Sequence, residues 1–162
     1  MSPACPVRLP RMRRTVLAIV VAISLLTAPL ALAKRPRSAG SKPTRLELVV
    51  LDAINNARRA HRLRAVKLRA DLQAGARRYA RSLLQRNLFA HAGLSGVGEV
   101  LAWGTFNLME PRNLVRLWLD SPPHRRVLLW PDARYLGIGL AVGTFQGYTG
   151  VRLAVGRFAT AR

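Results

Sequence analysis

Residues 119–131 read LDSPPHRRVLLWP. Two prolines precede His124 and two arginines come after it. Ser121 is a good helix N-cap, and Pro122 suits the first turn, where its missing N–H would be unpaired anyway. Pro123 stiffens the turn further. The stretch predicts a short helix that drives Val127, Leu128 and Leu129 inward and ends at Pro131. His124 falls in its first turn. The partial positive charge of a helix N-terminus disfavours imidazolium. A neutral imidazole on a rigid turn is able to act as a base or bind a metal. Taken alone, the fragment favours a plainer alternative, a histidine that only hydrogen-bonds a neighbouring loop.

Two further segments carry chemistry. His91 sits in LFAHAG, residues 88–93, where a helical pattern gives way to a glycine-rich loop. Glu99 comes eight residues later in GVGEV, inside the apolar stretch Val97 to Trp103, which reads as a strand. A carboxylate there needs a partner, because burying it unpaired is costly. A histidine, an arginine or a metal would serve, and an ordinary ion pair with one of many arginines is the bland alternative. His61 differs. It lies among Arg58, Arg59, Arg62 and Arg64 on what reads as a polar, solvated helix end.

Around these segments the periodicity predicts an α+β fold. Thr44-Arg45-Leu46-Glu47 matches a capping box and starts a helix that runs to about His61. Leu46, Val49, Val50, Ala53, Ile54 and Ala57 form its apolar face. Asp71 is placed to cap a second helix, with Leu72, Ala76, Tyr79, Ala80 and Leu83 inward and Arg77, Arg78, Arg81 and Arg86 outward. Pro111 suits the start of a third, with Leu114, Val115 and Trp118 inward. Near the end the period becomes two. Leu136, Ile138, Leu140 and Val142 alternate with small residues, GTFQG turns the chain, and Val151, Leu153 and Val155 share one face of the return. Glycines opposite the first set allow another layer to approach closely. Helices therefore pack on a small, mainly antiparallel sheet.

The 162 residues leave room for one domain. Residues 1–33 read as a secretory signal peptide: Arg8, Arg11, Arg13 and Arg14, then an apolar run, then Ala31-Leu32-Ala33 as the cleavage site. An uncleaved membrane anchor is the alternative, although Pro29 interrupts a run near the minimum spanning length. Residues 34–44 read as a disordered basic linker, and residues 45–162 as the domain. Cys5, the one cysteine, falls in the leader, so the exported part is held by its core without disulfides. The leader holds four of the 27 basic residues and none of the seven acidic ones, which leaves 23 against seven and a net charge of +16. Such a charge attracts polyanions. The arginines are scattered rather than gathered in one block, so the charge reads as a solubility and surface property first and a binding site second. Nucleic-acid binding ranks last among the functions, because no aromatic-plus-basic platform or recognised motif accompanies the charge.

In order, His91, Gly98-Glu99, Trp118 with Ser121-Pro122-x-His124-Arg125, and Leu136-Gly137-Ile138-Gly139 resemble the CAP superfamily. This is the SCP domain of cysteine-rich secretory, antigen five and pathogenesis-related proteins, and the likeness is strongest to short bacterial secreted members. It spans roughly Leu46 to Phe158, and FAHAG and SPPHR are its most specific pieces. The resemblance implies a three-layer α-β-α sandwich. It also implies a central cleft of two histidines and two acids, able in some members to bind zinc or another divalent ion. The first histidine maps to His91, the first acid to Glu99 and the second histidine to His124. Two neutral imidazoles and a carboxylate leave an open metal position, as in catalytic zinc sites.

The chain departs from that pattern in places. Ser121 stands where the second acid usually does. Asp120 lies one residue earlier, about 100° around a helix. The implied site is thus the triad His91, Glu99 and His124. The usual Gly-Glu-Asn reads Gly98-Glu99-Val100, and the extended loop linked to sterol binding in some eukaryotic members is not recognisable. The function expected is a secreted, non-enzymatic binding module whose cleft takes a divalent metal, a small ligand or a lipid. Its basic surface would meet anionic envelope polymer or lipid. The alternative is a His/Glu- or metal-dependent, peptidase-like hydrolase at the cell envelope. No serine or cysteine nucleophile arrangement accompanies it.

Overall fold

The computed structural model describes residues 42–161. The expected leader and residues 34–41 of the linker lie outside them. The elements run α1 (Arg45–Ala60), β1 (Lys67–Leu68), α2 (Ala70–Gln85), β2 (Val97–Gly104), α3 (Pro111–Asp120), α4 (Pro122–Leu128), β3 (Tyr135–Phe145) and β4 (Tyr148–Ala159). Among the described residues no helix is long and apolar enough to cross a membrane.

The capping box at α1 is formed. The Glu47 N–H donates to Thr44 Oγ1 at 3.2 Å, and the Thr44 N–H donates to Glu47 Oε2 at 2.7 Å. Glu47 is buried and also receives Arg77 Nε at 2.7 Å. Arg77 therefore corrects its expected outward position: it is half-buried and ties α2 to the start of α1. Asp71 is not the cap of α2. The N-cap is Arg69, which makes no side-chain capping bond, and Asp71 lies in the first turn, held by Arg69 Nε at 2.7 Å. The reason is β1, a strand too short to show alternation. It pairs in parallel with β3, and the Arg69 N–H continues the ladder by donating to the Leu136 carbonyl at 3.0 Å. Arg69 is thereby held extended, and the helix begins at Ala70.

The sheet order is β1-β3-β4-β2. β3 and β4 form the expected antiparallel hairpin, turning at Gln146 and Gly147 with φ of 51° and 82°. Positive φ at both central residues gives a turn whose twist matches that of the strands. β2 pairs antiparallel with the other side of β4. The sheet is thus mixed, with β1 as its parallel member.

Alternation sends successive residues to opposite layers. Val151, Leu153 and Val155, with Leu101 and Phe145, meet Ala76, Ala80 and Leu83 of α2. Gly137 and Gly139 let α2 lie directly on β3. A Cβ at either would fall 2.2 Å from the backbone of Leu72 or Ala76. On the opposite face Leu136, Ile138, Ala154 and Phe158 join Ile54, Leu114, Trp118 and Leu128. The result is the three-layer α-β-α sandwich, α2 on one face and α1, α3 and α4 on the other. Val142 departs from the expected inward set. It is exposed near the hairpin end, past the reach of the helices on that face.

A buried cation organises the second layer. Arg58 is fully buried, a correction to the solvated helix end read around His61. Its Nε donates to the Arg64 carbonyl at 2.9 Å, and its Nη1 to the carbonyls of Leu128 and Trp130 at 2.6 and 3.1 Å. A helix C-terminus leaves carbonyls without intrahelical partners. Arg58 supplies donors to those of α4 and thereby anchors the helix that carries His124. His61 itself stays exposed, with Nδ1 2.9 Å from the Ala57 carbonyl.

Candidate functional site

His91 is positioned by the way α2 ends. Asn87 takes a positive φ of 48°, its N–H donates to the Leu84 carbonyl, and the Leu88 N–H donates to that of Leu83. This is the Schellman arrangement, in which a left-handed residue closes a helix and redirects the chain. Tyr79 then anchors the outgoing segment, its hydroxyl donating to the Ala90 carbonyl at 2.6 Å. His91 emerges beside β2 with its side chain 56% exposed.

Glu99 is held by three donors. Its Oε1 lies 3.2 Å from His91 Nδ1 and accepts the Ala92 N–H at 2.8 Å. Its Oε2 accepts Arg157 Nε at 2.9 Å. The Glu99 side chain is only 7% exposed and that of Arg157 9%. The two are register partners on β2 and β4, so pairing and parity put them side by side on the α2 face. Arg157 also lies over the Tyr79 ring, 4.9 Å from its centroid, where burial and the Glu99 charge push the phenol pKa up. The partner of Glu99 is therefore both a histidine and an arginine. Nothing in its own segment marks Arg157 for this role, although the alternation of β4 puts it on the Val151, Leu153 and Val155 face.

His124 reaches the same place from the opposite layer. Gly98 precedes Glu99 and faces the other way, and a Cβ there would stand 2.9 Å from Val127 Cγ1. Its absence lets α4 close on β2, which is an edge strand. The His91 and His124 ring centroids are 6.3 Å apart. Burial first, and the neighbouring His91 second, lower the His124 pKa from its ordinary value. The direction matches the sequence expectation, with causes other than the helix N-terminus. Ser121 occupies the N-cap position of α4, but its side chain makes no capping bond.

The remaining positions are plain. Asp120 is exposed at the end of α3. Val100 points into the core with Trp118, on the face away from Glu99. Among the described residues no group of three His, Cys, Asp or Glu side chains is arranged to hold a metal ion. Glu99 already satisfies three N–H groups, and a carboxylate bound to the far nitrogen of a histidine is the usual device for orienting a metal-binding ring.

The family model for CAP, the cysteine-rich secretory protein family, matches residues 51–158. The chain belongs to the CAP family. Solved structures of CAP-type proteins share its fold. An outer surface protein of Borrelia burgdorferi is 19% identical, with a TM-score of 0.58 over 71% of this chain and 92% of its own. Hookworm platelet inhibitor is 12% identical, with a TM-score of 0.58 over 77% and 76%. An extracellular SCP-domain protein of Bacillus anthracis is 19% identical, with a TM-score of 0.53 over 69% of this chain and 39% of its own. No curated protein matches the sequence.

Proposed function

We propose that this CAP protein acts outside the cell as a non-enzymatic binding module, and that the His91–His124 cleft is its site for a divalent metal or small ligand. The observation that carries the reading is the engagement of Glu99. Its carboxylate is occupied by His91, Ala92 and Arg157. It serves as a fixed support that aims His91 toward His124 rather than as a free base. His91 and His124 would be the ligands, and Glu99 the residue that orients one of them. An ion held there would offer an open coordination position to an incoming ligand. Zinc is the first candidate, since imidazole nitrogens suit it. A CAP-type structure described as a zinc complex, 11% identical to this chain, makes zinc the sensible probe. Export is supported by the leader-like residues 1–33 and by relatives described as extracellular or outer-surface proteins. The basic surface would face anionic envelope polymer or lipid.

The test is metal content and zinc titration of the purified protein, with His91→Ala and His124→Ala beside it. The expected result is one zinc per chain, lost in both variants. If the wild type takes up no zinc and neither variant changes stability or ligand binding, the reading fails. Peptidase and esterase screens address the hydrolase alternative, for which turnover abolished by His91→Ala would decide.

A further inference from the structure

A second concave site lies away from the histidines, where β1 joins β3. Arg64, Ala65, Lys67, Arg134, Tyr135 and Ala161 line a pocket of about 380 Å³. Three of these six residues are cations and none is acidic. The frame is well fixed. The Lys67 N–H donates to the Arg134 carbonyl at 3.0 Å, and the parallel register sets Lys67 opposite Tyr135. The Arg134 guanidinium is tethered, its Nη1 donating to the Pro131 and Ala133 carbonyls at 2.8 and 3.0 Å. The Arg64 carbonyl is held by Arg58.

Among the described residues this charge has no ion-pair partner. None of the five ion pairs among the described residues involves Arg58, Arg64, Lys67 or Arg134. Asp132 is exposed and forms no ion pair with Arg134 among them, and Asp71 is engaged by Arg69, which itself lies over the Tyr135 ring. Beside the pocket sits the buried Arg58, whose guanidinium has only carbonyl partners. Burial, and secondarily the Arg134 charge, act against its ionised form. An anion in the pocket would relieve that repulsion.

We infer that this pocket binds a phosphoryl group, carried by a small phosphate ester or by a lipid headgroup. Two guanidinium forks and an ammonium match a compact oxyanion with several acceptor oxygens better than they match a lone carboxylate. The volume, near the lower end of ligand pockets, suits a headgroup-sized ligand. This site is independent of the histidine cleft, and the inference does not rest on the reading of that cleft.

Pyrophosphate titrated calorimetrically into the purified protein at low salt tests it. The expected result is saturable one-to-one binding, weakened about tenfold or more in Arg64→Gln/Lys67→Gln. Both side chains are exposed, so the variant should fold, which circular dichroism checks. Arg78→Gln/Arg81→Gln removes the same charge from the outer face of α2 and should change affinity less than about twofold. His91→Ala should leave binding unchanged. Vesicles containing phosphatidic acid separate the two sources. Recruitment that pyrophosphate competes away and that Arg64→Gln/Lys67→Gln abolishes assigns the lipid headgroup. Pyrophosphate binding without recruitment assigns a soluble phosphate ester. The inference is overturned if pyrophosphate does not saturate, if both double variants lose affinity equally, or if binding tracks His91.

Discussion

Glu99 on β2 and Arg157 on β4 are register partners whose side chains meet at 2.9 Å while both are nearly excluded from solvent. The pair joins the sheet to the cleft, because the other oxygen of the same carboxylate holds His91 and the Ala92 N–H. A buried ion pair contributes little net stability relative to an apolar replacement of both partners. Its value here is positional.

Removing one partner alone should be severe. Arg157→Met leaves Glu99 with a buried charge and should cost about 3–5 kcal/mol in a denaturant titration. Arg157→Lys keeps the charge but not the guanidinium over Tyr79, and should recover only part of that loss. Equal stability of wild type and Arg157→Met would contradict the arrangement.

Gly98→Ala should separate the two halves of the cleft. The added Cβ would meet Val127 at 2.9 Å, and a β-branched side chain on a packed helix has little room to yield. We expect a loss of about 1–3 kcal/mol, together with weaker zinc binding, since α4 must shift away from β2. Unchanged zinc affinity with reduced stability would show that the close approach of α4 serves packing alone.

Arg58 should tolerate neither Met nor Lys. Met leaves carbonyls of Leu128, Trp130 and Arg64 without their donor. At about 1–3 kcal/mol for each buried group left unsatisfied, part of it recovered by water, a loss of about 3 kcal/mol or more is expected. Lys cannot span three carbonyls as a planar fork does. Thermal unfolding of both variants gives the answer.

Glu47 should contribute to acid sensitivity. Its burial raises the carboxyl pKa, but Arg77, the Thr44 N–H and the Thr44 hydroxyl together outweigh burial and lower it. A carboxylate whose folded pKa is depressed stabilises the fold above its unfolded value, near ~4.3, and loses that contribution as pH falls through the folded value. Glu47→Gln should therefore be less stable than wild type at neutral pH, and the gap should narrow below about pH 4. A gap that stayed constant from pH 7 to pH 3 would contradict the assignment.

Much of this molecule is written locally. The capping box at Thr44, the proline start of α3, the two-residue period of β3 and β4, and the glycines at 137 and 139 each report their own short-range physics. All keep that meaning in the fold. The candidate residues His91, Glu99 and His124 are legible because each stands out against its own segment: a histidine at a helix exit, an acid in an apolar strand, a histidine behind two prolines. What the segments do not reveal is which charges meet. Arg58, Arg77 and Arg157 look like any other arginine in a chain of 27 basic residues. Strand register, helix closure and the layer on which each falls select Arg58 and Arg157 for burial and Arg77 for a half-buried pairing with Glu47. The 6.3 Å separation of the two histidine rings is likewise a tertiary outcome. It depends on Gly98 allowing α4 against the edge of the sheet, on Arg58 holding the end of that helix, and on Arg157 fixing the carboxylate. Local sequence sets where a side chain points along its own element. Only packing between elements sets the distance to a side chain on another.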